Sequence, residues 1–364
     1  MAVGCLTMVR SMRVLVSFWT AVLSVFFAAL YAVVPRLVLA ADRLRPLFRF
    51  TWPSISGAIP PVDVLRHFAR YDAVALAMRL RSRYLQARAF GVNAGGLDAY
   101  VQKHVIADTD CMHRWMSAGT GVIYACPHYG PFLLGALLVA TQGSNASPSH
   151  VFYDPAESVP DNHRFDKFFQ QFGDRLSVLH NEPRDLVRAL RALKNKQCLS
   201  IMFDVVQRPT DSMFVPFFDR LYPAMGGAAY LSLQSGAPII PAYVVPDRGC
   251  KARVVFGQPI EPGSFTNADR DKNIYDMTRT LFGDFQKQLV RAPWHWIYWG
   301  NVGAASRFDR NVMRDHATLL AEIRRRCLAT PVLLEGSPLL RSLVEGRSEG
   351  GPGVWRDEAR PDTP

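Results

Sequence analysis

Gly121-Val122-Ile123-Tyr124-Ala125-Cys126-Pro127-His128-Tyr129-Gly130-Pro131-Phe132-Leu133-Leu134 is the stretch on which the fold turns. Residues 121–126 carry no charge and no breaker after the first glycine, which predicts a strand buried on both faces. A helix is predicted over 132–140, with Pro131 suited to its first turn. His128 then lies between a buried strand and a helix start, at the carboxyl edge where open α/β sheets hold ligands. A helix N-terminus there aims N–H groups at whatever His128 faces. Its dipole disfavours imidazolium, so the ring stays neutral and able to accept a proton. Taken alone, a loop histidine fits capping or packing as well as catalysis.

Working outward, the pattern alternates. Strands are predicted over 150–153, 176–179, 198–203, 238–245 and 251–256. Helices are predicted over 62–90, 162–172, 184–194, 227–234 and 271–289, with Gly236 closing the fourth. Such alternation predicts an α/β fold with a mainly parallel central sheet flanked by helices. Asp204 follows the strand over 198–203, either as a strand-end turn residue or as a functional group.

Upstream, residues 14–34 form a 21-residue run without charge. As a helix it would be about 31 Å long, matching a hydrocarbon core of about 30 Å. Arg36, Arg43, Arg45 and Arg49 follow it, so the positive-inside rule predicts a single-pass anchor with the main domain in the cytoplasm. The competing reading, a secretory signal cleaved after Val38-Leu39-Ala40, requires an unusually long apolar core and a strongly basic mature start. The expected organisation is a basic N-terminus over 1–13, the transmembrane anchor over 14–34 and a basic juxtamembrane connector over 35–61. The α/β domain spans 62–300, a helical extension 301–330 and a disordered tail 331–364.

Of the 364 residues 49% are hydrophobic, which excludes a mainly disordered chain. Net charge is +11, and between Arg36 and Arg88 ten Arg face only Asp42, Asp63 and Asp72. Beside an apolar span, such a belt suits anionic lipid headgroups. Without a recognised binding module it does not suit nucleic acid. The six Cys are scattered with no C-x-x-C pair, against both a disulfide framework and zinc. His104, His113 and His295 lack metal-ligand spacing and are expected to be structural. Arg208 is either a phosphate or pantetheine ligand or a solvated loop residue. The cluster Trp294, Trp296 and Trp299 is expected in core or interface packing. Nucleotide loops, the G-x-S-x-G elbow, the H-E-x-x-H helix and the G-x-G-x-x-G fingerprint are all missing.

Six features in order then carry a resemblance. They are the anchor, His128 after its strand, and Asp204 after a later one. Phe214-Val215-Pro216-Phe217-Phe218 follows with Met225-Gly226-Gly227-Ala228-Ala229, then Gly236-Ala237-Pro238-Ile239-Ile240-Pro241 and an aromatic close over 293–299. Together they resemble the lipid A late acyltransferases, within the lysophospholipid acyltransferase superfamily, over roughly four-fifths of the chain. Asn162 and Arg164 match an Asn-bearing stretch between the two motif-carrying strands. The resemblance implies an enzyme of the inner membrane in which His128 is the general base. It takes the proton from a hydroxyl of a lipid A-like, lysophospholipid or other glycolipid acceptor. The implied donor is acyl carrier protein or acyl-CoA, with no metal or bound cofactor. N–H groups near Gly130 would hold the oxyanion, and Asn162, Arg164, Arg208, Pro216 and Phe217 would contact substrate.

One departure stands out. The family's acid position, H-x-x-x-x-D/E, holds Leu133. Another carboxylate, Asp204 or Asp154, could reach the ring. A backbone carbonyl could orient it instead, or the chain could be an inactive lipid-binding or assembly protein.

Overall fold

The computed structural model describes residues 65–66, 69, 73–117, 119–143, 147–153, 163–205, 213–218, 220–248 and 250–299. The expectations for 1–13, 14–34, 35–61, 301–330 and 331–364 lie outside the described residues. No helix among the described residues is long and apolar enough to cross a membrane.

Eight helices are described: α1 (Ala73–Ala89), α2 (Leu97–His104), α3 (Thr109–Ser117), α4 (Leu133–Gln142), α5 (His163–Gln170), α6 (Pro183–Lys194), α7 (Gly227–Ser235) and α8 (Arg270–Arg291). The strands are β1 (Val105–Ile106), β2 (Val122–Ala125), β3 (Ser149–Tyr153), β4 (Leu176–His180), β5 (Cys198–Ile201), β6 (Met213–Phe217), β7 (Arg220–Ala224), β8 (Ile239–Asp247) and β9 (Lys251–Phe256).

Seven strands form one sheet in the order β1-β9-β8-β2-β5-β3-β4, and β6 and β7 form a separate antiparallel hairpin. All pairings in the large sheet are parallel except β8 with β9. The mainly parallel sheet read from the alternation is therefore present. Side chains of β2 divide by the strand's period of two. Ile123 and Ala125 join one core with residues of α6, α7 and α8, while Val122 and Tyr124 join another with residues of α1, α2, α4 and α5. Both faces of β2 are therefore dry, which is why it reads as an unbroken apolar run.

Helix α4 is buried from Leu133 to Ala140 and has no polar face. It packs against β3, β5 and β8 of the sheet. α6 begins with Pro183 in its first turn. Gly236 ends α7 at φ 78, donating its N–H to Ser232 O. Elements absent from the sequence reading are α2, α3, β1 and the β6–β7 hairpin. α2 and β1 are too short to show a period, and Pro216 and Pro223 disguise the hairpin as loop.

Candidate active site

The site grows out of the register of β2 and β5. Ala125 pairs with Ile201, and each strand then runs three residues further, to His128 and to Asp204. The two meet side by side at the carboxyl edge. His128 Nδ1 lies 2.9 Å from Asp204 Oδ1, and the His128 N–H donates to Asp204 Oδ2 at 2.9 Å. Trp296 Nε1 donates to the same Oδ2 at 2.8 Å. The Asp204 side chain is wholly buried, whereas that of His128 is 16% exposed. Below it, the Tyr222 hydroxyl donates to Asp204 O at 3.0 Å, and burial pushes the Tyr222 phenol far up, keeping that proton in place.

An ionised carboxylate only accepts, so a proton on Nδ1 satisfies both partners and Nε2 keeps its lone pair. This is the arrangement of a general base with its orienting acid. Phe132 and Tyr298 stand edge-on to the imidazole, at centroid distances of 4.8 and 4.9 Å. They confine the ring to one plane.

Residues 128–130 run antiparallel to the aromatic close. Gly130 N–H donates to His295 O at 2.8 Å, Ile297 N–H to His128 O at 3.3 Å, and Tyr129 bridges Trp296. Gly130 adopts φ 64, and a Cβ there would run into the Val244 carbonyl oxygen. Gly130→Ala should therefore destabilise the protein by roughly 3 kcal/mol, combining left-handed backbone strain with overpacking. In a thermal melt this would appear as a drop of about 6 °C or more.

His128 opens onto a cavity of about 220 Å³ with mostly apolar walls. Leu133 and Ala136 come from α4, Phe165 and Phe169 from α5, Leu186 from α6 and Leu231 from α7. The polar groups on its wall include Asn181 and Tyr298. A lining of this kind suits an aliphatic chain whose polar end meets His128.

The expected site residues fare differently. His128 and Asp204 are brought together. Gly130 is not a free donor, since its N–H is committed to His295. Phe217 is fully buried and does not face the cavity: its ring packs against Trp296 at 5.7 Å and Tyr222 at 5.3 Å, beneath Asp204. Pro216 pairs with Leu221 inside the hairpin, also off the cavity wall. These three were expected at the substrate, and none of them lies on the cavity wall. Arg164 lies on α5 next to Phe165 of the cavity wall. Asn162, Arg208 and Asp154 lie outside the described residues.

Trp296 is the residue the sequence reading undervalued. It was expected in packing, and it is buried, yet its indole N–H also holds Asp204. His295 is enclosed by Ser82 Oγ, 3.3 Å from Nδ1, and by Trp294 Nε1, 3.0 Å from Nε2. Cys126 borders the site, but burial pushes its thiol up to about 11, so it is no nucleophile near neutral pH. Among the described residues no His, Cys, Asp and Glu group could hold a metal.

A parallel α/β sheet with a His–Asp pair at its carboxyl edge, above an apolar cavity, is the layout of an enzyme for a ligand with a long apolar part. The model of the bacterial lipid A biosynthesis acyltransferases matches residues 65–299, and the chain belongs to that family. The family is one of acyltransferases acting on lipid-like acceptors. No curated protein matches the chain.

Proposed function

We propose that the protein moves a fatty acyl group from an acyl thioester, on acyl carrier protein or coenzyme A, to a hydroxyl of a lipid A-like, lysophospholipid or other glycolipid acceptor. The observation that carries this reading is the 2.9 Å contact between His128 Nδ1 and Asp204 Oδ1 at the cavity mouth. Nε2 takes the hydroxyl proton as the oxygen attacks the thioester carbonyl. Collapse of the tetrahedral intermediate expels the thiolate, which recovers the proton from imidazolium and leaves as thiol. Asp204, 2.9 Å from Nδ1, orients the ring and steadies the imidazolium.

The acyl chain occupies the apolar cavity. Gly130 N–H is taken by His295 O, and Leu133 N–H by Gln86 Oε1 at 3.0 Å. We therefore assign the oxyanion to the Phe132 N–H, which has no partner among the described residues. Arg164, Asn162 and Arg208 remain candidates for the polar parts of donor or acceptor. The reaction needs no metal or bound cofactor. Because both donors are cytoplasmic, the reading places the domain on the inner face of the inner membrane, behind the apolar run over 14–34. Purified protein supplied with each acyl thioester and a lipid acceptor should release thiol and form ester in equal amounts. No ester with either donor would overturn the reading.

A second reading, a lipid-binding or assembly protein that has lost catalysis, is favoured by one observation. Leu133, at the family's acid position, is a buried wall of the cavity. Leu133→Asp separates the two. With Asp204 already serving His128, the new carboxylate would be buried in an apolar wall without a partner. Transfer should then fall about tenfold or more. A gain in transfer would show that Asp204 does not complete the site.

A further inference from the structure

The geometry points to Tyr298 as the residue that makes His128 serve transfer and not hydrolysis, its ring shielding the imidazole from bulk water. The inference rests on the proposed function, since it concerns the choice between two nucleophiles at the same base.

A general base beside a thioester has two candidate proton sources. His128 Nε2 can take a proton from water as well as from a lipid hydroxyl. The water oxygen then adds to the thioester carbonyl and the C–S bond breaks. The thiolate recovers the proton from imidazolium, and the products are free fatty acid and thiol. Water outnumbers any lipid acceptor, so a transferase needs its base kept dry. Inside the cavity the apolar walls do this. The His128 side chain is 16% exposed, however, and there another group has to exclude water.

Two rings stand edge-on to the imidazole, Phe132 at 4.8 Å and Tyr298 at 4.9 Å, and both also line the cavity. Phe132 opens the buried helix α4 and carries the N–H assigned to the oxyanion, so its place is set by other duties. Tyr298 is held by its neighbours. Trp296 Nε1 donates to Asp204 Oδ2 at 2.8 Å, Ile297 N–H to His128 O at 3.3 Å, and Trp299 Nε1 to Pro293 O. Trp296 and Trp299 are buried and Ile297 is exposed, whereas Tyr298 is half-buried against the imidazole. A ring kept for packing alone would be buried as the two tryptophans are. Burial is the main cause that pushes the Tyr222 phenol up, and Tyr298 adds to it, so the Tyr298 ring extends toward the side of the pair where Tyr222 holds Asp204. Without this ring, the imidazole edge that it covers would lie open at the cavity mouth.

The test counts products. The full chain is supplied with lauroyl thioesters of acyl carrier protein and of coenzyme A, with a lipid A precursor and a lysophospholipid as acceptors. Free fatty acid and ester are measured in the same sample. Ester should dominate in the parent, and Tyr298→Ala should raise the ratio of fatty acid to ester at least about tenfold. Tyr298→Leu keeps more of the packing and should move the ratio the same way, which reads the effect even where the alanine protein does not fold. Tyr298→Phe keeps the ring and should hold the ratio near the parent's. Loss of folded protein lowers both products together and cancels in the ratio. An unchanged ratio in Tyr298→Ala and Tyr298→Leu, with ester still formed by the parent, overturns the shield alone. A rise as large in Tyr298→Phe overturns it too, because the ring is still there. A parent that yields no ester with any pair overturns the proposed function, and the shield with it.

Discussion

His128→Ala should lower ester formation by at least about 10³-fold, the upper part of the range for loss of a positioned general base. The substitution removes the ring and little else. The backbone N–H of residue 128 still reaches Asp204 Oδ2, Trp296 still donates to the same oxygen, and the side chain lost was partly exposed. The melting temperature should therefore stay near that of the parent while turnover collapses. The measurement is the rate at which ester appears from acyl thioester and lipid hydroxyl, with thioester hydrolysis followed separately. Transfer retained within tenfold would remove His128 from the chemistry.

Asp204→Asn should cost nearly as much, about 10³-fold or more in kcat, by a different route. Oδ2 receives two N–H donors, so an amide nitrogen there would face both. The amide must turn the other way and present its NH2 to His128 Nδ1. The ring then has to carry its proton on Nε2, and the base is lost although every atom remains near its place. Occupancy of the apolar cavity should barely change, so KM should move much less than kcat. A retained rate above a tenth of the parent's would show that something else orients the imidazole.

The long periodic and apolar segments were legible in the sequence because their burial is decided by neighbours in the chain. β2, β9, α4, α6 and α8 fall close to where patterning put them. Short pieces were not. β1 is two residues long and is a strand only because β9 offers it an edge. In the site, His128 announced itself through its place between strand and helix. Asp204 was named together with Asp154, because which strands are neighbours, and in what register, is a property of the assembled sheet. The third contact, Trp296, had no signal beyond an aromatic-rich close: nothing local distinguishes an indole that packs from one that also donates to a carboxylate. Phe217 shows the converse, since a motif shared with a family marks either a ligand contact or packing, and here its ring lies against Trp296 and Tyr222.

The meeting of His128 and Asp204 across two aligned strands has a consequence for how the protein becomes active. The partners are separated by 76 residues, and a slip of one residue between β2 and β5 would carry one of them out of reach. Helices such as α4 and α6 can form from local contacts, whereas this alignment waits on closure of a long loop. During refolding, far-ultraviolet dichroism should recover first and turnover only with the last strands to settle. Catalysis is thus a clock for the late stage of assembly, readable on a chain whose helical signal has already stopped changing.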